Sequence, residues 1–348
     1  MASGRRARTL LVTGGSGFIG SNFVIQHLQR YPEDTVLVLD ALTYAGNPDN
    51  VKVAMQHGER FEFWHGDVVN PEIVQALVGR ADVVVHFAAE SHVARSIFDN
   101  RVFFQTDVMG TQAVANAVLK NADHIERFIH ISTSEVYGTA VHVPMTEDHP
   151  LNPMSPYASA KAGADRLVYS YVATYGIPAV ILRPFNNYGP RQHLEKLVPR
   201  FVTSALRSLP LTVHGDGSAK RDWIYVDDTC DAIECVLEAD IEVVRGEVFN
   251  ICSGEVRSVL EIGDAVIDAV GADRSLLATI DDRPGQVQHH AGSREKTSRV
   301  LGWQSAVGFD EGLERTIRWY RDNPAWWEGL DWMKQIPVRL RDGRVVLH

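Results

Sequence analysis

A chain of 348 residues, 45% hydrophobic and 22% charged, is long enough and apolar enough to bury a large core, in one big domain or in a large and a small one. Its formal charge of −10 argues against nonspecific nucleic-acid binding, which relies on basic surface, so anionic partners need locally gathered cations. No apolar run approaches the ~20 residues that span a bilayer, which excludes a membrane-spanning reading.

The basic start, Arg5-Arg6-Ala7-Arg8, leads into a strand rather than a signal-peptide core, so it reads as a solvated tail. Leu10-Leu11-Val12 forms a buried strand and Phe18 to Arg30 an amphipathic helix. Further strands are expected at Thr35–Leu39, Phe61–Trp64, Asp82–Phe87, Arg127–Ile131 and Ala179–Arg183. Helices are expected between them, around Val51–Gln56 and Glu72–Val78, then over Phe103–Lys120 and Ser155–Tyr175. Strands and helices alternating at this spacing imply an α/β fold, a Rossmann-type doubly wound parallel sheet. After Asn187-Tyr188-Gly189-Pro190 the regularity weakens. Short strands near Leu211–Val213 and Val248–Ile251 mix with helices near Val226–Glu238 and Leu260–Val270, which points to a smaller C-terminal lobe. The boundary is placed at 187/188, with some later segments returning to the main sheet. Trp319, Tyr320, Trp326, Trp327 and Trp332 read as packing around the last helix.

Three cysteines, Cys230, Cys235 and Cys252, are an odd number without ligand spacing, as expected of reduced thiols in the cytoplasm. His289-His290 lacks a nearby set of Asp, Glu or Cys at ligand spacing, so no metal site is expected.

Between the first strand and the first helix lies Thr13-Gly14-Gly15-Ser16-Gly17-Phe18-Ile19-Gly20. Glycines there permit a tight turn and bring backbone N–H groups up to a pyrophosphate at the helix N-terminus. Gly14, Gly17, Phe18, Ile19 and Gly20 are therefore cofactor candidates. Asp40, ending the next strand, is placed to bond the adenosine ribose, and its charge favours NAD over NADP. Asp67-Val68 and Ala88-Ala89 follow the third and fourth strands, where the ligand crevice of such a sheet forms.

Tyr157 and Lys161, four apart on one helix face, suit the removal of a hydroxyl proton. A nearby ammonium favours the phenolate and lowers the tyrosine pKa. Thr133-Ser134-Glu135 precedes them, adding a hydroxyl and a carboxylate. Proton removal from an alcohol is half of an oxidation, and the glycine turn advertises a site for the hydride acceptor.

With these in place the chain resembles the extended short-chain dehydrogenase/reductases, from about residue 9 to about 325, and within them the nucleotide-sugar 4,6-dehydratases. It looks most like the dTDP-glucose 4,6-dehydratases. Leu42 to Asn47, His86 to Val93, Asn186 to Pro190, Glu195 to Pro199 and Arg221 to Val226 carry the likeness. Two stretches depart from it. That family usually has Thr-Asp-Glu at Thr133-Ser134-Glu135, whereas Thr-Ser-Glu is similar to GDP-mannose 4,6-dehydratases and UDP-glucuronate decarboxylases. Arg283-Pro284-Gly285-Gln286 lacks the His that the family has after the Gly.

The resemblance implies an NAD-dependent hydro-lyase acting on an NDP-hexose. Residues 1–187 would hold NAD and the catalytic set Thr133, Ser134, Glu135, Tyr157 and Lys161, and 188–348 mainly the nucleotide sugar. Ser91, His92, Asn187, Lys196, Leu197, Arg221, Asn250 and Arg283 are the substrate-binding candidates. It also implies a homodimer paired through the helices Phe103–Lys120 and Ser155–Tyr175. A 4-epimerase would share Thr133, Tyr157 and Lys161 but has little need for Glu135. A decarboxylase would need a partner for the sugar carboxylate, for which Arg191 is the candidate. A non-catalytic NAD-binding scaffold is the remaining reading.

Overall fold

The structure, a computed structural model, describes residues 5–280, 287–334, 336–339 and 343–347. Seven parallel strands form its central sheet: β1 (Thr9–Thr13), β2 (Thr35–Asp40), β3 (Phe61–His65), β4 (Val83–His86), β5 (Arg127–Ile131), β6 (Ala179–Pro184) and the later Val248–Ile251. Their spatial order is Val248–Ile251, β6, β5, β4, β1, β2, β3. Registers such as Leu11↔Leu37 and Leu11↔Val84 place β1 between β2 and β4. These strands are covered on both faces, which is why they read as nearly unbroken apolar runs. The strand order reverses between β1 and β4, so a crevice opens at the carboxyl ends of that pair.

One face of the sheet buries Phe23, Val24 and Leu28 from the helix Phe18–Arg30 together with Ile233 and Val236 from the helix Val226–Glu238. On the opposite face lie the helices Pro71–Val78, Thr111–Lys120 and Pro156–Tyr175. The last of these starts on Ser155, whose Oγ accepts the Ala158 N–H at 3.1 Å, with Pro156 in the first turn, where its missing N–H is no loss. It ends at Gly176, with φ 67°, in the left-handed conformation that glycine adopts without strain.

Two expected helices differ in form. The stretch around Val51–Gln56 belongs to a 3₁₀ run, Pro48–Arg60, interrupted at Gly58. Phe103–Lys120 is continuous in path but passes through a π-type segment, Phe104–Gly110, before turning α-helical at Thr111. Such local widening shifts the side chains that follow around the helix axis, and π segments are frequent at functional sites.

A second core gathers Tyr188, Phe201, Trp223, Ile262, Phe309, Tyr320 and Trp327. Around it run β7 (Asn186–Tyr188), β8 (Leu211–His214) and β9 (Lys220–Tyr225), with β7 and β9 parallel. Beyond β10 (Val248–Ile251), the seventh strand of the main sheet, come β11 (Val256–Ser258), β12 (Leu277–Ile280) and β13 (His289–His290). Strands β11 and β13 flank β9, and β12 pairs with β8. Tyr320 and Trp327 pack inside this core, whereas Trp332 of the same aromatic group is exposed.

Candidate active site

A cavity of about 440 Å³ runs along the carboxyl ends of the central strands toward the second core. At one end the Gly14–Gly20 turn forms its floor. Gly14 has φ 70°, and a Cβ there would stand 2.6 Å from the Ala88 nitrogen; a Cβ on Gly20 would lie 2.4 Å from the Gly14 carbonyl oxygen. Only glycine permits this approach. The helix Phe18–Arg30 begins on Gly17 with no side-chain cap and no acid in its first turn, leaving N–H donors for an anion. Asp40 lines the same end; its Oδ2 accepts the Ser16 N–H and its Oδ1 the Leu42 N–H, both at 2.8 Å. Asp67, Val68, Ala88 and Ala89 complete the walls.

Further along the cavity stand Thr133, Ser134, Glu135, Tyr157 and Lys161. Thr133 caps the short turn Ser134–Tyr137, its Oγ1 accepting the Glu135 N–H at 3.2 Å. Beneath this turn His290 is buried, its Nε2 paired with the Ser134 carbonyl oxygen at 3.0 Å. Burial pushes that imidazole down to about 4, against the pull of Glu135. It is therefore neutral near pH 7 and donates from Nε2.

Tyr157 and Lys161 share the helix face that the sequence spacing implies, but not the expected pKa. Burial raises the Tyr157 phenol, Asp107 and Glu135 push the same way, and only a hydrogen bond with Thr133 opposes them. Lys161 donates to the Ile131 carbonyl oxygen at 2.7 Å, so its ammonium is anchored on β5. Burial lowers its pKa, against the charges of Asp107 and Asp165. Lys161 is not among the groups that act on the Tyr157 phenol, and desolvation is the largest cause of its rise.

Ser91, His92, Asn187, Lys196, Leu197 and Arg221 line the remaining wall. Lys196 Nζ donates to the Ser91 carbonyl oxygen at 2.6 Å, joining the loop after β4 to the start of the helix Leu197–Leu206. His92 caps the helix Val93–Phe98. Asn187 donates through Nδ2 to the Phe185 carbonyl at 3.0 Å.

Asn250, expected among the substrate-binding residues, stands apart from this group, outside the cavity lining. It is fully buried: its Oδ1 accepts the Tyr137 hydroxyl at 2.7 Å, and its Nδ2 donates to the Met145 carbonyl at 3.0 Å. Arg191 is likewise outside the cavity lining. It donates to Asn22 Oδ1 at 3.0 Å and lies over the Trp319 ring, so it offers no grip on a sugar carboxylate there. Arg283 and the rest of its Arg-Pro-Gly-Gln stretch fall outside the described residues. Among the described residues, no group of three or more His, Cys, Asp or Glu side chains could hold a metal ion.

Several contributors were not foreseen. Arg200 lines the cavity one helical turn beyond Lys196, a signal the i, i+4 spacing carried. His214 enters from the end of β8, and no local pattern marked it. Asp107, wholly buried in the π-type segment, accepts the Glu90 N–H on Oδ1 at 2.8 Å. A polar chain lies behind it: Thr111 Oγ1 donates to the Asp107 carbonyl, His86 Nε2 meets Thr111 Oγ1 at 3.0 Å, and His86 Nδ1 meets Thr13 Oγ1 at 2.6 Å.

The fold and site together define a dinucleotide-binding enzyme of the Rossmann type with a Tyr/Lys pair and a cationic second wall. Comparison with known proteins narrows this. The family model described as GDP-mannose 4,6 dehydratase matches residues 11–316. The low-salt glycan biosynthesis protein Agl12 of Haloferax volcanii is 48% identical over 312 residues, covering 89% of this chain and 98% of its own. A dTDP-glucose 4,6-dehydratase of an Actinoplanes species is 40% identical over 323 residues, covering 91% and 99%. The crystal structure of the dTDP-glucose 4,6-dehydratase DesIV from Streptomyces venezuelae, with NAD and TYD bound, is 43% identical. It aligns with a TM-score of 0.88 over 93% of this chain and all of its own. The chain belongs to the GDP-mannose 4,6-dehydratase family.

Proposed function

We infer that the protein is an NAD-dependent nucleotide-sugar 4,6-dehydratase, a hydro-lyase that converts an NDP-hexose to an NDP-4-keto-6-deoxyhexose. One observation carries the reading: the Glu135 carboxylate shares a cavity with Thr133, Tyr157 and Lys161, between a glycine-cradled anion site and the cations Lys196 and Arg221. The relatives named dTDP-glucose 4,6-dehydratase, and the NAD and TYD held by the Streptomyces venezuelae structure, support it.

The residues present fit NAD. A Cβ at Gly14 or Gly20 would fill the cradle, and the uncapped start of the helix Phe18–Arg30 suits its pyrophosphate. Asp40 takes the adenosine ribose, while Asp67, Val68, Ala88 and Ala89 flank the rest. When bound, NAD would supply the hydride chemistry, taking hydride from C4 and returning it to C6, so the net reaction consumes no cofactor. Tyr157 removes the proton of the sugar C4 hydroxyl, with Thr133 holding that oxygen in line and Lys161 reaching toward the nicotinamide ribose. A ketone at C4 acidifies the C5 proton, since the resulting carbanion is an enolate. Glu135 takes that proton, the C6 hydroxyl departs as water, protonated through Ser134 or a water beside it, and Glu135 returns its proton to C5 as C6 is reduced. Lys196, Arg200 and Arg221 pair with the diphosphate through charge-assisted hydrogen bonds.

The division at 187/188 into an NAD-binding part and a sugar-binding lobe is supported by the separate second core, with Val226–Glu238 and β10 returning to the main sheet. A second copy of the chain is the proposed partner. Exposed Val102, Phe104 and Met109 on one helix, and Tyr169 and Tyr175 on its neighbour, support a face for it. Among the described residues no helix is long and apolar enough to cross a membrane. Three unpaired thiols support a cytoplasmic location.

The test is incubation with dTDP-, UDP-, GDP- and CDP-hexoses, reading product mass and NADH absorbance. Loss of one water from a hexose is the expected outcome. Unchanged mass with altered stereochemistry would make the enzyme an epimerase instead. Glu135→Gln is expected to cut water loss by about 10²–10⁴-fold, the usual worth of a positioned acid or base, while NADH still forms. Undiminished water loss in that variant removes Glu135 from the scheme.

A further inference from the structure

Past residue 316, where the match to the family model ends, the chain does not simply trail away. A 3₁₀ run, Glu328–Lys334, leads to a two-stranded pair of β14 (Pro337–Arg339) and β15 (Val345–Leu347) that, among the described residues, joins none of the other sheets. Strand β14 lies against the helix Val93–Phe98. Ile336, just ahead of it, packs on Ala94 of that helix and is only 2% exposed. On the other side, Arg200 Nη1 donates to the Lys334 carbonyl oxygen at 3.2 Å. The segment thus touches both sides of the cavity: Ala94 on the wall after β4, and Arg200 on the wall from the second core. Ile336 itself lines the cavity.

The chemistry of that corner is mixed in a particular way. Lys196 and Arg200 bring positive charge, while Ile336, Ala94 and Phe201 bring apolar surface, all onto one cavity. A diphosphate satisfies the cations, and the flat base or furanose ring joined to it offers faces that an isoleucine can cover without stranding polar groups. A purely anionic ligand such as a sugar phosphate would leave the apolar surface without a partner.

We propose that the C-terminal segment bearing Ile336 straps the two sides of the cavity together, and that Ile336 is a specificity-determining residue contacting the nucleoside half of the substrate. This rests on the nucleotide-sugar reading of the site. Being supplied by a segment beyond the matched family region, the contact can differ between relatives that share the catalytic set. It acts on binding of the nucleoside, not on the proton transfers.

The experiment compares the parent holoenzyme, Ile336→Ala, and a chain ending at Lys334. Measured are KM and kcat for each nucleotide hexose that the parent turns over, dTDP and UDP affinity by calorimetry, and NAD affinity. Trimming one apolar wall of a ligand pocket is expected to raise KM and the nucleoside diphosphate Kd about tenfold. The ratio of kcat/KM between nucleotides should shift, while kcat at saturation and NAD affinity stay within about twofold. Unchanged KM, Kd and selectivity in both variants would overturn the proposal, as would a fall in NAD affinity and kcat with KM unmoved, the mark of general loosening. If the parent processes none of the hexoses, the dehydratase reading fails, yet the dTDP and UDP affinities still decide the role of Ile336.

Discussion

Asp107 has no exposed surface and lies on the helix that packs against the one carrying Tyr157 and Lys161. Burial lifts its carboxyl to about 7, the Lys161 charge and the Glu90 N–H pull it down, and the Glu90 charge pushes it up again. Among the described residues its Oδ2 has no hydrogen-bond partner. The groups facing this pocket are Lys161 and Tyr157 from the catalytic helix, Glu90 from the loop after β4, and the neutral imidazoles of His86 and His130. An ionised Asp107 supports the Lys161 ammonium and opposes a Tyr157 phenolate. Asp107→Asn keeps an acceptor for the Glu90 N–H and removes the charge. The phenolate then forms at lower pH, and the acid limb of the kcat/KM profile is expected to move down by about one unit, the low end of the shift a nearby like charge causes. Titrating both enzymes across that limb is the check; coincident profiles would show that Tyr157 does not feel Asp107.

The helices Phe103–Lys120 and Pro156–Tyr175 carry Asp107, Tyr157 and Lys161 yet expose a run of large apolar side chains. The proposed pairing of two chains covers them. Phe104→Glu combined with Tyr169→Glu places charge in that face, and desolvating it costs several kcal/mol unless it is paired. The variant is expected to run in light scattering at the 38.7 kDa of one chain, against twice that for the parent. A parent that is already monomeric, or a variant that stays dimeric, moves the interface elsewhere. These same helices mark where sequence reading worked and where it stopped. Ser155, Pro156 and Gly176 announce one helix at both ends, and buried parallel strands such as Leu10-Leu11-Val12 announce themselves by unbroken apolarity. The π-type stretch Phe104–Gly110 left no trace, because it changes which way Asp107 faces without changing the apolar pattern. The burial of Asn250 is hidden from the sequence for a related reason. Whether an asparagine at a strand end meets a ligand or a buried tyrosine is decided by Tyr137, which is 113 positions away in sequence.

At the scale of the molecule, a buried imidazole is one of the groups that tie the cofactor helix to the second half of the chain. His27 pairs with Glu234 through Nδ1 at 2.8 Å and with Asp34 through Nε2 at 3.1 Å, and both rings of contact are closed to solvent. Glu234 belongs to the helix Val226–Glu238, which follows β9 of the smaller sheets and returns to cover the main one. Burial alone would lower the His27 pKa, but the hydrogen bonds and charges of Asp34 and Glu234 outweigh it and raise the value. A raised folded pKa means that the native state holds the proton more tightly than the unfolded chain. The resulting stability is complete below the unfolded value of about 6.5 and is lost as pH rises through the higher folded value. Asp34 sets the opposite limit. Burial pushes its carboxyl up, yet His27, Arg5 and the Arg8 N–H pull it below the usual value, so its contribution is present above about 4 and is lost as pH falls through the folded value. Between these limits the tie is at full strength. Thermal unfolding of the NAD-free protein is therefore expected to show a Tm that declines from pH 6 toward pH 9. His27→Gln has a single donor nitrogen, enough for one of the two carboxylates, and no titratable ring, so its Tm should be nearly flat over that range, with a cost of about 1–3 kcal/mol at pH 6 from the bond lost. Parallel declines in the two proteins would assign the pH dependence to other groups and leave His27 as a spacer between the two halves.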